Sequence, residues 1–142
     1  MNFKVLALVV MGITFLFDTV IEYLNSKSAE RKIPDNVADI YDAEEYRKWL
    51  AYDKECNKLS LYRHLVSYVI AFVLIGFDVY AQIVNGIGAD GLYAAAMVVM
   101  VADTVISLIW STPFSYVRNM GIEQKYGFNR MTKKTFFVDL VK

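Results

Sequence analysis

Apolar positions in this chain run together in three blocks instead of recurring at the period of an amphipathic helix or a half-buried strand. The first block, Phe3 to Leu24, reads Phe-Lys-Val-Leu-Ala-Leu-Val-Val-Met-Gly-Ile-Thr-Phe-Leu-Phe before it meets Asp18 and Glu22. At a helical rise of about 1.5 Å per residue, such a block crosses ~30 Å of hydrocarbon. The second block, Leu65 to Val84, and the third, Gly91 to Trp110, are separated by Asn85-Gly-Ile-Gly-Ala-Asp90, whose composition is turn chemistry. The pattern predicts an all-α integral membrane fold with spans at about 3–24, 65–84 and 91–110, the last two forming a tight antiparallel hairpin. The first block is read as a retained span and not a signal peptide, because its apolar run outlasts a normal h-region and no A-x-A cleavage pattern follows.

The polar segment 25–63 carries its own helical signals. Asp42-Ala-Glu-Glu45 reads as a capping box with Tyr41 and Tyr46 placed for a hydrophobic staple, so a helix should start near Ala43. Glu44 and Lys48 then stand one turn apart in the favourable order. Trp49, Tyr52, Cys56 and Leu59 share one stripe, read as a packing face. No breaker intervenes before Leu65, which predicts one long helix extending into the second span, with Leu59-Ser60 as the place for any bend. After the third span, Pro113 is expected to stop the helix by biasing Thr112 away from the α region. In the tail, 111–142, Gly127 reads as a helix stop and either Asn129 or Thr132 as a new N-cap. Phe136, Phe137, Leu140 and Val141 begin an amphipathic helix that runs off the end at Lys142, as expected of a truncated or split protein.

Composition sharpens the class. Of 142 residues, 56% are hydrophobic, and the mean hydropathy is +0.34, above the range of a soluble domain of this size. Fifteen Lys and Arg balance fifteen Asp and Glu, so net charge says nothing about nucleic acid, and no basic patch interleaves with aromatics to suggest it; no nucleic-acid partner is expected. The distribution of charge is informative: one basic residue, Lys4, in the first span, eight in 25–63, none in the turn and six after the third span. The positive-inside rule then places 25–63 and the tail in the cytoplasm, and the N-terminus and the 85–90 turn outside. Trp110, Tyr62 and Tyr68 suit an aromatic belt, with plain packing as the alternative. With no retention or lipidation signal, the expected location is a bacterial plasma membrane, or the endoplasmic reticulum membrane if the source is eukaryotic.

Asp18, Asp78 and Asp103 lie within apolar blocks, where an ionised carboxylate costs about 2.5 kcal/mol or more. Asp18 and Asp103 sit at matched depth, roughly 10 Å below the cytoplasmic interface, and are the candidate residues of an intramembrane polar layer. Separate side chains, protonated or hydrogen-bonded across helices, are the other reading. Asp78 and Glu22 lie close enough to block ends to approach an interface. His64, beside Arg63, reads as an interfacial residue. It is the sole histidine and Cys56 the sole cysteine, so the chain has no disulfide and no zinc-ligand cluster of its own. P-loop, Gly-x-Gly-x-x-Gly, serine-elbow and His-Glu-x-x-His motifs are all absent from the sequence. No catalytic, cofactor-binding or metal residue is assigned.

Ile122-Glu-Gln-Lys-Tyr-Gly-Phe-Asn129, followed by Thr132, Phe136 and Asp139, resembles the segment before the fourth span of the CAAX prenyl protease 1 family of integral membrane zinc metalloendopeptidases. Pro113-Phe-Ser-Tyr116 matches as well, as does the order of a first span, a loop with Arg31-Lys-Ile-Pro34, a long helix around Tyr46 to Tyr52, and two further spans. The resemblance covers the whole chain. It implies an N-terminal domain forming part of a seven-helix wall around an intramembrane chamber, in which zinc held by His-Glu-x-x-His and a distant glutamate cleaves substrates, including the C-terminal tripeptide of prenylated proteins in eukaryotes. None of those ligands lies in these 142 residues, so zinc is expected only in a catalytic part supplied by the remaining half of the enzyme or by a partner membrane chain. Glu123, Lys125, Gly127 and Asn129 form the family-motif loop, and for Glu123 and Asn129 the resemblance implies a role in organising that loop near the chamber, structural before chemical. The competing expectation is a standalone membrane scaffold or regulatory subunit without proteolytic activity.

Overall fold

The computed structural model describes residues 3–29 and 42–141. Tyr41 and the Arg31-Lys-Ile-Pro34 run lie outside the described residues. All regular structure among the described residues is helical: α1 (Phe3–Ala29), α2 (Ala43–Gly76), α3 (Val79–Ile87), α4 (Leu92–Tyr116), a π-helical segment (Val117–Glu123), α5 (Gln124–Tyr126) and α6 (Lys133–Val141). Three stretches, Phe3–Lys27, Ala43–Gly76 and Leu92–Tyr126, are long and apolar enough to cross a membrane. Among the described residues only Ile122 and Phe136 are buried by protein, while leucines, valines and isoleucines along the apolar blocks stand exposed. That is the surface of a protein whose apolar side chains are covered by lipid. The chain is an integral membrane protein.

The long helix is present. The Asp42 carboxylate accepts the Glu44 amide at 2.8 Å and the Asp42 carbonyl accepts the Tyr46 amide at 2.9 Å, so Asp42 caps α2 where the sequence predicts. From there α2 runs unbroken for 34 residues, about 50 Å of helix. The apolar block 65–84 is not a single helix, however. It breaks at Phe77-Asp78, where Asp78 adopts a left-handed conformation with φ 55°, and α3 follows. A short polar side chain is one of the few that tolerates that conformation. Gln82 stitches the break with its side-chain amide, which donates to the Phe77 carbonyl at 2.9 Å, and Lys4 meets the Asp78 carboxylate at 2.6 Å.

Contacts divide the chain into two units, Met1–Phe17 with Arg63–Pro113, and Asp18–Tyr62 with Phe114–Lys142. In the first, α3 ends at Gly88, where the Gly88 and Ala89 amides return to the Asn85 and Val84 carbonyls at 3.2 Å each, and residues 88–91 turn the chain into α4. The Tyr80 hydroxyl donates to Asp103 across the resulting antiparallel hairpin. Tyr68 is a packing residue: its ring stacks on Phe15 at 4.5 Å, over Gly12, where a Cβ would stand 3.3 Å from the Tyr68 hydroxyl. Arg63 lies over the Trp110 ring, 5.9 Å from its centroid.

Pro113 does not stop the helix, contrary to the sequence-based expectation; it lies inside α4, which continues to Tyr116. Proline removes one amide, the donor that would reach the Ile109 carbonyl, and the helix tolerates that single loss without ending. The neighbouring Thr112 hydroxyl caps the Leu108 carbonyl at 2.6 Å, and Thr14 and Thr104 make the same i−4 return to Val10 and Met100. Substituting Gly12→Leu is expected to destabilise the protein by about 1–3 kcal/mol through overpacking against Tyr68. A lowered thermal midpoint in detergent, partly restored by adding Tyr68→Ala, is the readout.

Candidate functional site

The motif residues fall in the second unit, where the chain leaves the π-helical segment and turns back along α2. A π segment widens the helix by one residue per turn and tends to occur where geometry serves function. This one buries Ile122 and presents Arg118 to Glu123, with Nε to Oε1 at 3.3 Å. Helical structure then ends at Gly127, with φ 82°. The Phe128 amide reaches the Glu123 carbonyl at 2.9 Å and the Gly127 amide the Gln124 carbonyl at 3.1 Å, a Schellman stop that needs a residue at ease with positive φ.

Past that stop, Asn129 fastens the loop on both sides. Its side-chain amide donates to the Asn119 carbonyl at 3.1 Å and its side-chain oxygen accepts the Met131 amide at 2.8 Å. Gln124 donates to the Met131 carbonyl at 2.6 Å. Thr132, not Asn129, caps α6: its hydroxyl accepts the Thr135 amide at 3.2 Å. The buried ring of Phe136 then meets Tyr116 edge-on, with centroids 5.4 Å apart.

The loop is clamped to the polar half of α2. Glu55 accepts from the Lys125 ammonium and, at 3.1 Å, from the Tyr126 hydroxyl. The Lys125 hydrogen bond holds the Glu55 carboxyl below the usual carboxylate range. One turn before Glu55, the Tyr52 ring meets Tyr126 and Phe128 edge-on, at centroid distances of 5.5 and 4.9 Å. Tyr52 thus uses the stripe face as the sequence predicts, as packing. The structure therefore joins Glu123, Lys125, Gly127 and Asn129 in one loop and adds partners that sequence reasoning did not single out: Glu55, Asn119 and Arg118. Tyr52 and Glu55 share a helix face, but nothing local signals a partner some seventy residues away.

The two candidate intramembrane carboxylates fall in different units. Asp103 is exposed on α4 and accepts the Tyr80 hydroxyl at 2.5 Å, and Asp18 is exposed on α1. Among the described residues no three His, Cys, Asp or Glu side chains converge as a metal requires. The sequence supplies one histidine, His64, and one cysteine, Cys56.

Residues 22–142 match the family described as CAAX prenyl protease N-terminal, five membrane helices. The chain belongs to the CAAX prenyl protease N-terminal family. It is also similar to CAAX prenyl protease 1 of Saccharomyces cerevisiae, with 26% identity over 141 residues, covering 90% of this chain and 31% of that protein. The chain thus spans about a third of the length of that curated relative. No solved structure matches. Within this CAAX protease membrane domain, α2, the π segment and the motif loop all fall in the matched range.

Two substitutions separate the loop's contributions. Asn129→Ala, which removes two hydrogen bonds, should cost about 1–3 kcal/mol. Lys125→Ala, which removes an exposed ion pair, should cost under ~1 kcal/mol. Thermal denaturation followed by circular dichroism, with hydrogen exchange across 124–136, is the measurement, and the reverse order would contradict this assignment of the loop's stability.

Proposed function

We propose that this CAAX protease membrane domain is a non-catalytic part of a zinc metalloendopeptidase, forming part of the wall of an intramembrane chamber while the peptide bond is cut by residues supplied elsewhere. The observation that carries this reading is the coincidence of a family match over 22–142 with the lack of a His-Glu-x-x-His motif in the same residues. Zinc hydrolysis needs two histidines one helical turn apart, a third ligand and a base; these would come from another segment of the enzyme or a partner membrane chain. CAAX prenyl protease 1, the name of the yeast relative, points to a prenylated C-terminal substrate for the assembled enzyme.

In this reading the domain's tasks are to lie in the bilayer, to help enclose a polar space, and to hold its water-facing loop in shape. Asp18 and Asp103, each within its own unit, turn their charge toward polar surroundings and away from lipid. The fourteen lysines and arginines in 25–63 and 111–142 set these segments in the cytoplasm, with the 85–90 turn outside, in a bacterial plasma membrane or a eukaryotic endoplasmic reticulum membrane.

Single cysteines in a Cys56→Ser background test both parts of the reading. Ala89→Cys should be labelled by an impermeant maleimide from outside and Glu45→Cys only after permeabilisation; the opposite pattern overturns the orientation. Asp103→Cys should react with a small water-soluble thiosulfonate once the catalytic part is co-expressed, and protection there overturns the chamber wall. The isolated chain should bind zinc substoichiometrically at most and cleave nothing. Tight stoichiometric zinc would contradict the proposal, and a stable homo-oligomer indifferent to any catalytic chain would favour the scaffold alternative.

A further inference from the structure

A cavity of about 340 Å³ opens between the second half of α1 and the polar half of α2, within the second unit, away from the motif loop. Tyr23, Glu22 and Ser26 line it from α1, and Lys54, Lys58 and Leu61 from α2. Its position along the two helices is informative. On α1 the apolar block ends at Leu24 and the chain turns polar at Asn25-Ser26-Lys27; on α2 Lys54 and Lys58 precede Arg63 and His64, after which the apolar block begins at Leu65. Both ends flank 25–63, so they emerge on the same side of the bilayer. The cavity therefore lies at the boundary between hydrocarbon and water, its apolar end toward Leu61 and its charged end toward Lys54.

The chemistry follows that gradient. The walls are mostly carbon, including the methylene stems of the lysines, which suits an amphiphile and not a free ion. Among the residues that line the cavity, the Lys54 and Lys58 ammonium groups outnumber the Glu22 carboxylate, with the Asp53 carboxylate beside the cavity keeping its own charge. The nearby Asp53 carboxylate is engaged by the Asn57 side-chain amide at 2.8 Å, which also fixes Asn57 on the cavity wall. Among the described residues Lys58 has no ion-pair partner, and it is exposed. Basic pockets between membrane helices at the interface are a recurring way of holding anionic headgroups.

We infer that this cavity is a binding site for one anionic phospholipid, with the phosphate held by Lys58 and Lys54 beside the Ser26 hydroxyl and the acyl end laid along Leu61 and Tyr23. The inference goes beyond the protease reading and does not depend on it. Lipid held there would tie α1 to α2 at the membrane surface.

The test uses the full chain in mild detergent with an equimolar mixture of phosphatidylglycerol and phosphatidylcholine of identical acyl chains, and reads retained lipid by native mass spectrometry. Phosphatidylglycerol should be retained in preference. Lys58→Ala should weaken its retention about fivefold and Lys54→Ala with Lys58→Ala on the order of twentyfold. Lys58→Arg should keep it, and Lys133→Ala with Lys134→Ala on α6 should not change it. Helical circular dichroism checks folding, with Lys58→Gln as the substitute that keeps the side-chain stem. Equal retention of the two lipids, or retention that survives loss of both lysines, overturns the site; displacement by millimolar inorganic phosphate as effective as by phosphatidylglycerol overturns the lipid assignment in favour of a free anion.

Discussion

In hydrocarbon no water is on hand to satisfy a stray amide or carbonyl, and each one left open costs several kcal/mol, on the order of a whole side chain's worth of burial. The apolar half of this protein is arranged around that penalty. Thr14, Thr104 and Thr112 return their hydroxyls to their own helix instead of seeking distant partners. Pro113 lies inside α4 at the loss of one amide donor. Where the chain does break, at Phe77-Asp78, the freed carbonyl is taken by Gln82 and the carboxylate by Lys4. The same logic covers Asp103, which accepts the Tyr80 hydroxyl across the hairpin.

The second unit is built differently. Its stability rests on a pair of buried apolar side chains, Ile122 and Phe136, and on a dense set of loop hydrogen bonds. The ion pair between Glu55 and Lys125 is the most visible contact but a minor energetic one, since both side chains are substantially exposed and water screens them. Its value is registry: together with the Tyr126 hydroxyl and the two edge-on rings at Tyr52, it fixes which turn of α2 the loop meets.

What was legible in the sequence tracks how local the physics is. Asp42 as a cap and Gly127 as a stop depend on a few neighbouring residues and are where the pattern puts them, whereas the turn expected over 85–90 starts only at Gly88, Asn85-Gly86-Ile87 remaining in α3. The choice between Asn129 and Thr132 as N-cap was open because both side chains can accept a nearby amide; Asn129 is occupied in bridging Asn119 and Met131, a contact ten residues back that local pattern does not reveal. Pro113 departs from expectation because the steric bias on Thr112 is a preference and not a stop, and the helix on either side of the proline carries it through. The break within 65–84 was invisible for a different reason: Asp78 has no signature until Lys4, seventy-four residues away, supplies its counter-charge.

The motif loop can now be judged as structure. The Glu123 carbonyl accepts the amides of both Phe128 and Asn129, at 2.9 and 3.3 Å, while its carboxylate holds Arg118. Lys125 and Tyr126 reach Glu55, Gly127 supplies the left-handed turn, Phe128 packs on Tyr52 and Asn129 closes the loop. Most residues from Glu123 to Asn129 thus have a task in holding the chain's path between the π segment and α6, met by hydrogen bonds, a turn and ring contacts. A run this specific does not require a catalytic role to explain its residue types. It requires a fixed geometry, and a domain whose contribution to an enzyme is shape would concentrate its specific residues in such a place.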